Sequence, residues 1–322
     1  MHVQRHQGRH LGRRRRAAVT TAAVTVAAAV TVASAVAIVG AAPASGAEPS
    51  APAPVQRYAP LVFLHPDDND RPMSAESFIR NSSLRWHHDS DCDDHRPAAR
   101  GDVGQRRLGS GRYRHQLADL LCNDHGQRFR SNEHTRPRDD NVAGGEGFFL
   151  ELIDTARGGS GTNARVYYDF QSQSFVTYWF LYGFNDAPAS LTDHEGDWEQ
   201  VTVRLNSSNQ ATDVAFYRHG DACRLPWSQV QMTSDGHPVA FSARGTHASY
   251  HRAGSFNNGI DVTERGPRWR TWRHLRNVQA RPWYGYGGGW GQVGEIAAST
   301  GPLGPSRFKE RAPANWEELE TC

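Results

Sequence analysis

Apolar and aromatic residues of this chain gather in short runs, and only one run is long. From Gly147 onward the runs are GFFLEL, ARVYYDF, SFVTYWFLYGF, DWEQVTVRL, ATDVAFYRH and HPVAFSAR. They are rich in β-branched and aromatic residues, and Gly, Asn, Asp or Pro separates most of them, as expected of strands and their turns. None carries a helical period, and there is no βαβ alternation. The pattern therefore predicts a mainly β fold: a single-domain β-sandwich with long loops and a few short helices. Upstream, APLVFLH reads as a buried first strand, and Ser74 as the cap of a short helix reaching Ile79. The stretch from Asp89 to Asn141 is polar and weakly periodic, which predicts long loops with one short helix near HQLADLL. Near the C-terminus, ANWEELE predicts a terminal helix.

The long run, Ala17 to Ala42, is mostly Ala, Val and Thr, and follows Arg5, Arg9 and Arg13 to Arg16. A basic start, an apolar stretch and small residues at the exit read as a secretory signal, with an uncleaved anchor as the alternative. Cleavage after Ala44 or Ala47 makes residues 1–47 the signal peptide, 48–56 a Pro/Ala-rich linker and 57–322 the domain, secreted to the extracellular space. Removing six of the 36 basic residues leaves 30 against 34 acidic ones, a formal charge of −4, which excludes a strongly basic nucleic-acid binder. No second apolar run approaches membrane-spanning length, so no integral membrane segment is expected after cleavage.

Four cysteines, Cys92, Cys122, Cys223 and Cys322, suit two disulfides in an oxidising compartment, with three pairings open. Cys92–Cys122 with Cys223–Cys322 is favoured. The first would staple a polar segment that has no core of its own, and the second would pin the C-terminal residue to the body. The absence of a CxxC pair argues against thiolate zinc. With no GxSxG and no glycine-rich phosphate loop, classical serine hydrolases and nucleotide enzymes drop out.

Chemistry concentrates in DHEGDWEQVTVRL, residues 193–205. On a strand, Asp197, Glu199, Val201, Val203 and Leu205 share one face, so two acids open a face that becomes apolar farther along. Setting two carboxylates at the mouth of a core is costly unless a cation or donors offset their repulsion. His194 lies close enough to join them, and Asp186 ends the neighbouring strand. Asp186, His194, Asp197 and Glu199 thus make a candidate oxygen-rich site for Mg²⁺, Mn²⁺ or Ca²⁺. The competing reading is a strand end with solvated acids and Trp198 as a packing residue.

YWFLYGFNDAP followed by HEGDWE resembles the necrosis- and ethylene-inducing peptide-like proteins, whose GHRHDWE heptapeptide follows a strand ending in an Asp. His194 falls at the first His, Asp197, Trp198 and Glu199 at the DWE, and Asp186 at the upstream Asp. The resemblance implies a divalent cation on a β-sandwich that helps engage sphingolipid head groups. Gly196 in place of the second His, and Asp193 in place of the leading Gly, depart from that pattern. A second resemblance covers more of the chain. RYAPLVFLHPDDNDRPMS, YWFLYGFND, HEGDWEQVTVRL and VAFSARGTHASY, spanning roughly residues 57 to 260 in the right order, are similar to the vacuolar protein sorting-associated protein 62 family.

In ARGTHASY, His247 sits at a strand end, and the resembled families imply a place near the metal pocket, supporting a cation ligand or acting as general base. A His bonded within a turn is the equal alternative. Arg244 could hold an anionic head group bidentately or pair with a surface acid. HHDSDCDDH (87–95) reads as a solvated loop, and DDND (67–70) lacks the Gly and distal Glu of an EF-hand. His65 and Asp67 could border the pocket or serve the turn. Among the later aromatics, Tyr284, Tyr286 and Trp290, spaced by glycines, are the candidates for ligand binding, and the rest are expected in the core. The leading expectation is a secreted, divalent-cation-binding β-sandwich that recognises an anionic lipid head group or a glycan. The alternatives are a metal-dependent hydrolase of phosphodiesters, esters or glycosides, with Glu199 or His247 as base, and a structural protein without a cation site.

Overall fold

The computed structural model describes residues 49–88, 93–115, 129–133, 147–188, 192–294, 296–307 and 311–322. The signal segment, the Cys92–Cys122 pair and the HQLADLL segment after His115 lie outside these residues. Each predicted run from Gly147 onward is a strand. The elements are α1 Ala53–Tyr58, β1 Leu61–Phe63, α2 Ala75–Arg80, β2 Ser82–His87, β3 His95–Ala98, α3 Gln105–Gly109 and β4 Gly147–Leu152. They continue with β5 Val166–Gln171, β6 Phe175–Asn185, β7 His194–Leu205, β8 Ala211–Arg218, β9 Asp221–Pro226 and β10 Val239–Ser242. The last are β11 Ser249–Tyr250, β12 Gly254–Phe256, β13 Asp261–Thr263, β14 Arg268–Arg270, β15 Leu275–Asn277 and β16 Glu320–Thr321.

A seven-stranded sheet, ordered β15-β5-β6-β7-β8-β9-β16, forms the middle of the molecule. Period-two alternation along its longest strands feeds two cores. From β6, Val176, Tyr178, Phe180 and Tyr182 point to one face, where Val62, Ala240 and Trp269 of the four-stranded sheet β11-β10-β1-β14 meet them. Trp179 and Leu181 point to the other face, against Leu84, Trp86, Phe148 and Leu150 of the three-stranded sheet β3-β2-β4. The fold is thus mainly β, a sandwich with its central sheet covered on both sides.

Three local expectations change. Residues 48–56 are not wholly a linker: Ala53 starts a short helix with Pro54 in its first turn, and Val55 and Tyr58 are buried in the first core. ANWEELE is not an α-helix; a single 3₁₀ turn, Trp316–Glu318, leads into β16, which pairs in parallel with β9. That pairing sets Cys322 beside Cys223, and the expected disulfide joins them across 99 positions. Tyr286 and Trp290 are not surface residues but belong to the second core. The glycines between them let the backbone come close to its neighbours, since a Cβ on Gly287 would lie 2.2 Å from the Glu133 carbonyl oxygen. That approach turns both rings inward, while Tyr284 stays half-buried. Ser74 caps α2 as expected, accepting from the Ser77 amide.

Candidate functional site

Strand β7 builds the floor of the site. Asp197 stands opposite Tyr182 of β6, Glu199 opposite Phe180, and Val201 and Val203 continue the same face into the core. The predicted sharing of one face by acids and valines therefore holds. Gly196, the departure from the heptapeptide, has a backbone reason: its φ is +62°, and a Cβ there would sit 1.9 Å from the Trp290 carbonyl oxygen. A histidine does not fit.

Behind Asp197 lies His247, wholly buried in the β10–β11 turn. Its ring stacks on Tyr182 at 3.8 Å between centroids. Nδ1 is 2.9 Å from Asp197 Oδ2, and Nε2 is 3.4 Å from Asp68 Oδ2. Burial works against a charge on this ring, but the Asp197 hydrogen bond and the charges of Asp68 and Asp197 outweigh it and push its pKa to about 9. Asp68 is held below the usual carboxylate range: burial opposes ionisation, and the His247 bond and charge overcome it. His247 is thus an imidazolium clamped between two acids. Buried behind Asp197, it does not line the cleft, which is where a general base must reach a ligand.

In front of Asp197 opens a cleft of about 850 Å³, lined by His194, Asp197, Trp198 and Glu199. The β8–β9 turn (Arg218, His219) forms one wall, Thr246 and Ile260 border it, and Leu303 and Arg307 come from the C-terminal segment. Glu199 is partly exposed, and its pKa is driven well above the usual range by burial, then by the charges of Asp197 and Asp261. His194 reaches the cleft while its Nδ1 lies 2.8 Å from the Gly196 carbonyl oxygen.

The wall holds a second Asp–His pair. His219 and Gly220, with φ of +47° and +94°, form the two-residue connection between β8 and β9. Such turns favour Asn-Gly, so a histidine here is under strain. Its Nε2 lies 2.8 Å from Asp261 Oδ2. Asp261 is fully buried and also accepts from Tyr250 at 2.7 Å and from Thr246. These bonds hold Asp261 below the usual carboxylate range despite burial, and the Asp261 bond raises the His219 pKa. Unlike His247, the His219 side chain is 41% exposed, on the cleft.

Of the expected residues, the structure brings His194, Asp197 and Glu199 to one cleft, with His247 behind them. Asp186 is exposed and does not line it; its amide donates to the Gly245 carbonyl. Arg244 is exposed outside the cleft. Among the described residues, three or more ligand atoms of His, Cys, Asp or Glu come within 4.8 Å of one another at Cys223, His251 and Cys322, where both sulfurs are spent in the disulfide. Asp186, His194, Asp197 and Glu199 do not form such a set as their side chains stand. Asp68, rather than His65 or Asp67, is the residue of the first turn that joins the site. His219, Asp261 and Tyr250 escaped the sequence reading. A signal for His219 existed in RHGD, two strand runs separated by His-Gly, whereas Asp261 lies 42 positions from His219 and had none.

Residues 166–280, from β5 to just past β15, match the family model of vacuolar protein sorting-associated protein 62. A vacuolar protein sorting-associated protein of Saccharomyces cerevisiae, TDA6, is 30% identical over 121 residues, covering 29% of this chain and 26% of that protein. The chain thus spans about a quarter of the length of this curated relative. Among solved structures, Necrosis and Ethylene inducing Protein 2 from the agent of cocoa's Witches Broom disease aligns with a TM-score of 0.33 at 13% identity, over 71% of this chain and 75% of that one. NLPPya in complex with mannosamine aligns at 0.31 and 11%, over 71% and 73%. At these scores the likeness reaches neither the site nor its ligand. The matched segment carries Asp197, Glu199, His219, His247 and Asp261, so over residues 166–280 the chain is similar to the vacuolar protein sorting-associated protein 62 family.

Proposed function

We propose that the cleft in front of Asp197 is the ligand site of a secreted protein and that its ligand is a glycan. The observation that carries this reading is the pairing of a sealed floor with a polar, open wall. His247 locks Asp197 from behind, while His219, held by buried Asp261, faces the cleft beside Glu199 and Arg218. Oriented donors and acceptors beside an exposed apolar side chain such as Ile260 suit sugar hydroxyls and a sugar face. Glucosamine and mannosamine, the sugars named in the solved complexes of NLPPya, are suitable first probes.

A divalent cation belongs to the same proposal. Glu199 lies beside Asp197 with its charge disfavoured, and a cation there would let it ionise. Because the donor atoms do not converge as they stand, binding must draw His194 and Glu199 inward, and Asp186 would take no part. Calorimetric titration of Mg²⁺, Mn²⁺, Ca²⁺ and the two amino sugars into metal-stripped protein tests both parts. Saturable heat that vanishes in Asp197→Ala is the expected result. No heat with any probe would leave the acids as part of the fold alone.

A further inference from the structure

A second groove lies on the outer face of the four-stranded sheet and shares no lining residue with the cleft. Strand β14 reads Arg-Trp-Arg. Trp269 enters the first core, so by alternation Arg268 and Arg270 stand on the opposite face. The register makes that face explicit: Arg270 pairs with Leu61, which pairs with Val239, and Arg268 pairs with Phe63, which pairs with Phe241. A row of arginines therefore edges a row of apolar side chains. Arg265, from the preceding loop, adds a third guanidinium, 5.3 Å from the Phe63 ring centroid, and that of Arg268 lies 5.7 Å away.

The groove between them has a volume of about 360 Å³. Its floor is Leu61, Phe63 and Val239, and Met232, 38% exposed, stands on the rim. No acid lies within ion-pair distance of Arg265, Arg268 or Arg270 among the described residues, and Asp235 is the one acid of the lining. Three guanidiniums face one acid of the lining, Asp235, whose ionised form the Arg270 charge favours, and Arg265 and Arg268 are held over an aromatic ring, which limits their freedom before any ligand arrives. Shielding of the apolar face by arginine stems would not need three charges on one groove.

We propose that this groove binds a phosphate ester bearing an apolar group, with the oxyanion on Arg268 and Arg270 and the apolar part over Phe63 and Met232. Arginine suits this task because its planar fork matches two phosphate oxygens at once. The ester could belong to a lipid head group or to a free metabolite. The site does not depend on the glycan reading of the cleft.

The test is calorimetric titration, at constant ionic strength, with inorganic phosphate, with monomeric dihexanoyl phosphatidic acid, and with phosphatidylcholine vesicles containing or lacking phosphatidic acid. Saturable binding of the short-chain ester, tighter than that of inorganic phosphate, is expected. Combining Arg268→Gln with Arg270→Gln should weaken it roughly tenfold or more, and Arg273→Gln, exposed outside the groove, should not. Met232→Glu, which places a negative charge on an already exposed rim, should also abolish it, and it serves if the double variant fails to fold. Binding to vesicles that requires phosphatidic acid would assign the ester to a lipid; binding of the soluble ester alone would assign it to a free ligand. No saturable binding by the wild type, or binding unchanged in the variants, would overturn the proposal.

Discussion

The floor and the wall of the cleft use the same chemistry to opposite ends. Both hold a histidine against a buried aspartate, and both histidines lie at tight β turns with positive φ, +55° at His247 and +47° at His219. His247 is enclosed by Asp197, Asp68 and the Tyr182 ring, and no part of it meets solvent. His219 has one carboxylate partner and an open side. An ion pair sealed on every side serves the fold; one left open on a cleft is available to a ligand. The contrast separates residues that hold the site from residues that use it.

The sharpest way to break the comparison is to remove the sealed histidine. His247→Ala leaves Asp197 and Asp68 buried without their counter-charge and should cost about 3–5 kcal/mol of stability, read by denaturant unfolding. Gly196→Ala, on the same floor, forces a Cβ into the Trp290 carbonyl at a left-handed position. It should cost on the order of 3 kcal/mol, and a variant as stable as the wild type would contradict the geometry.

Acidity separates the two regions more gently. The His247 pKa is raised from 6.5 to about 9, so its contribution is full below pH 6.5 and is lost as pH rises through 9. That loss is on the order of 3 kcal/mol. Glu195, which accepts from the Leu152 amide, is pushed up to about 7 by burial, so folding favours its protonated form. Its effect also lowers stability as pH rises, but between 4.5 and 7. Stability should therefore fall as pH rises from 5 to 10, and His247→Ala should flatten the part of that fall above pH 6.5. Smallest is the effect of His219→Asn. Asparagine suits the turn but gives up the Asp261 bond, so stability should fall by only about 1–2 kcal/mol, while binding of the amino sugars is lost.

Much of this was legible in the sequence because strand alternation is local. The DWEQVTVRL face and the aromatic strand SFVTYWFLYGF followed from spacing and composition, and the terminal disulfide was the favoured one among three open pairings. What escaped depended on contacts across the fold. Asp68 meets His247 from a turn 179 positions earlier, and Asp261 reaches His219 across 42, with no periodicity linking either pair. The aromatic tail misled for a related reason. Glycine spacing suggested an exposed loop, but glycine also permits the close approach that buries Tyr286 and Trp290.

The central claim is that His219 meets the ligand while His247 holds the floor. Following both imidazole rings by NMR, across pH and with added glucosamine, tests it most directly. The account predicts that His247 titrates near 9 and keeps its shifts when the sugar binds, whereas His219 titrates above 6.5 and moves with saturation. A His247 ring that titrates near 6.5, or a sugar that shifts His247 and leaves His219 untouched, would contradict it.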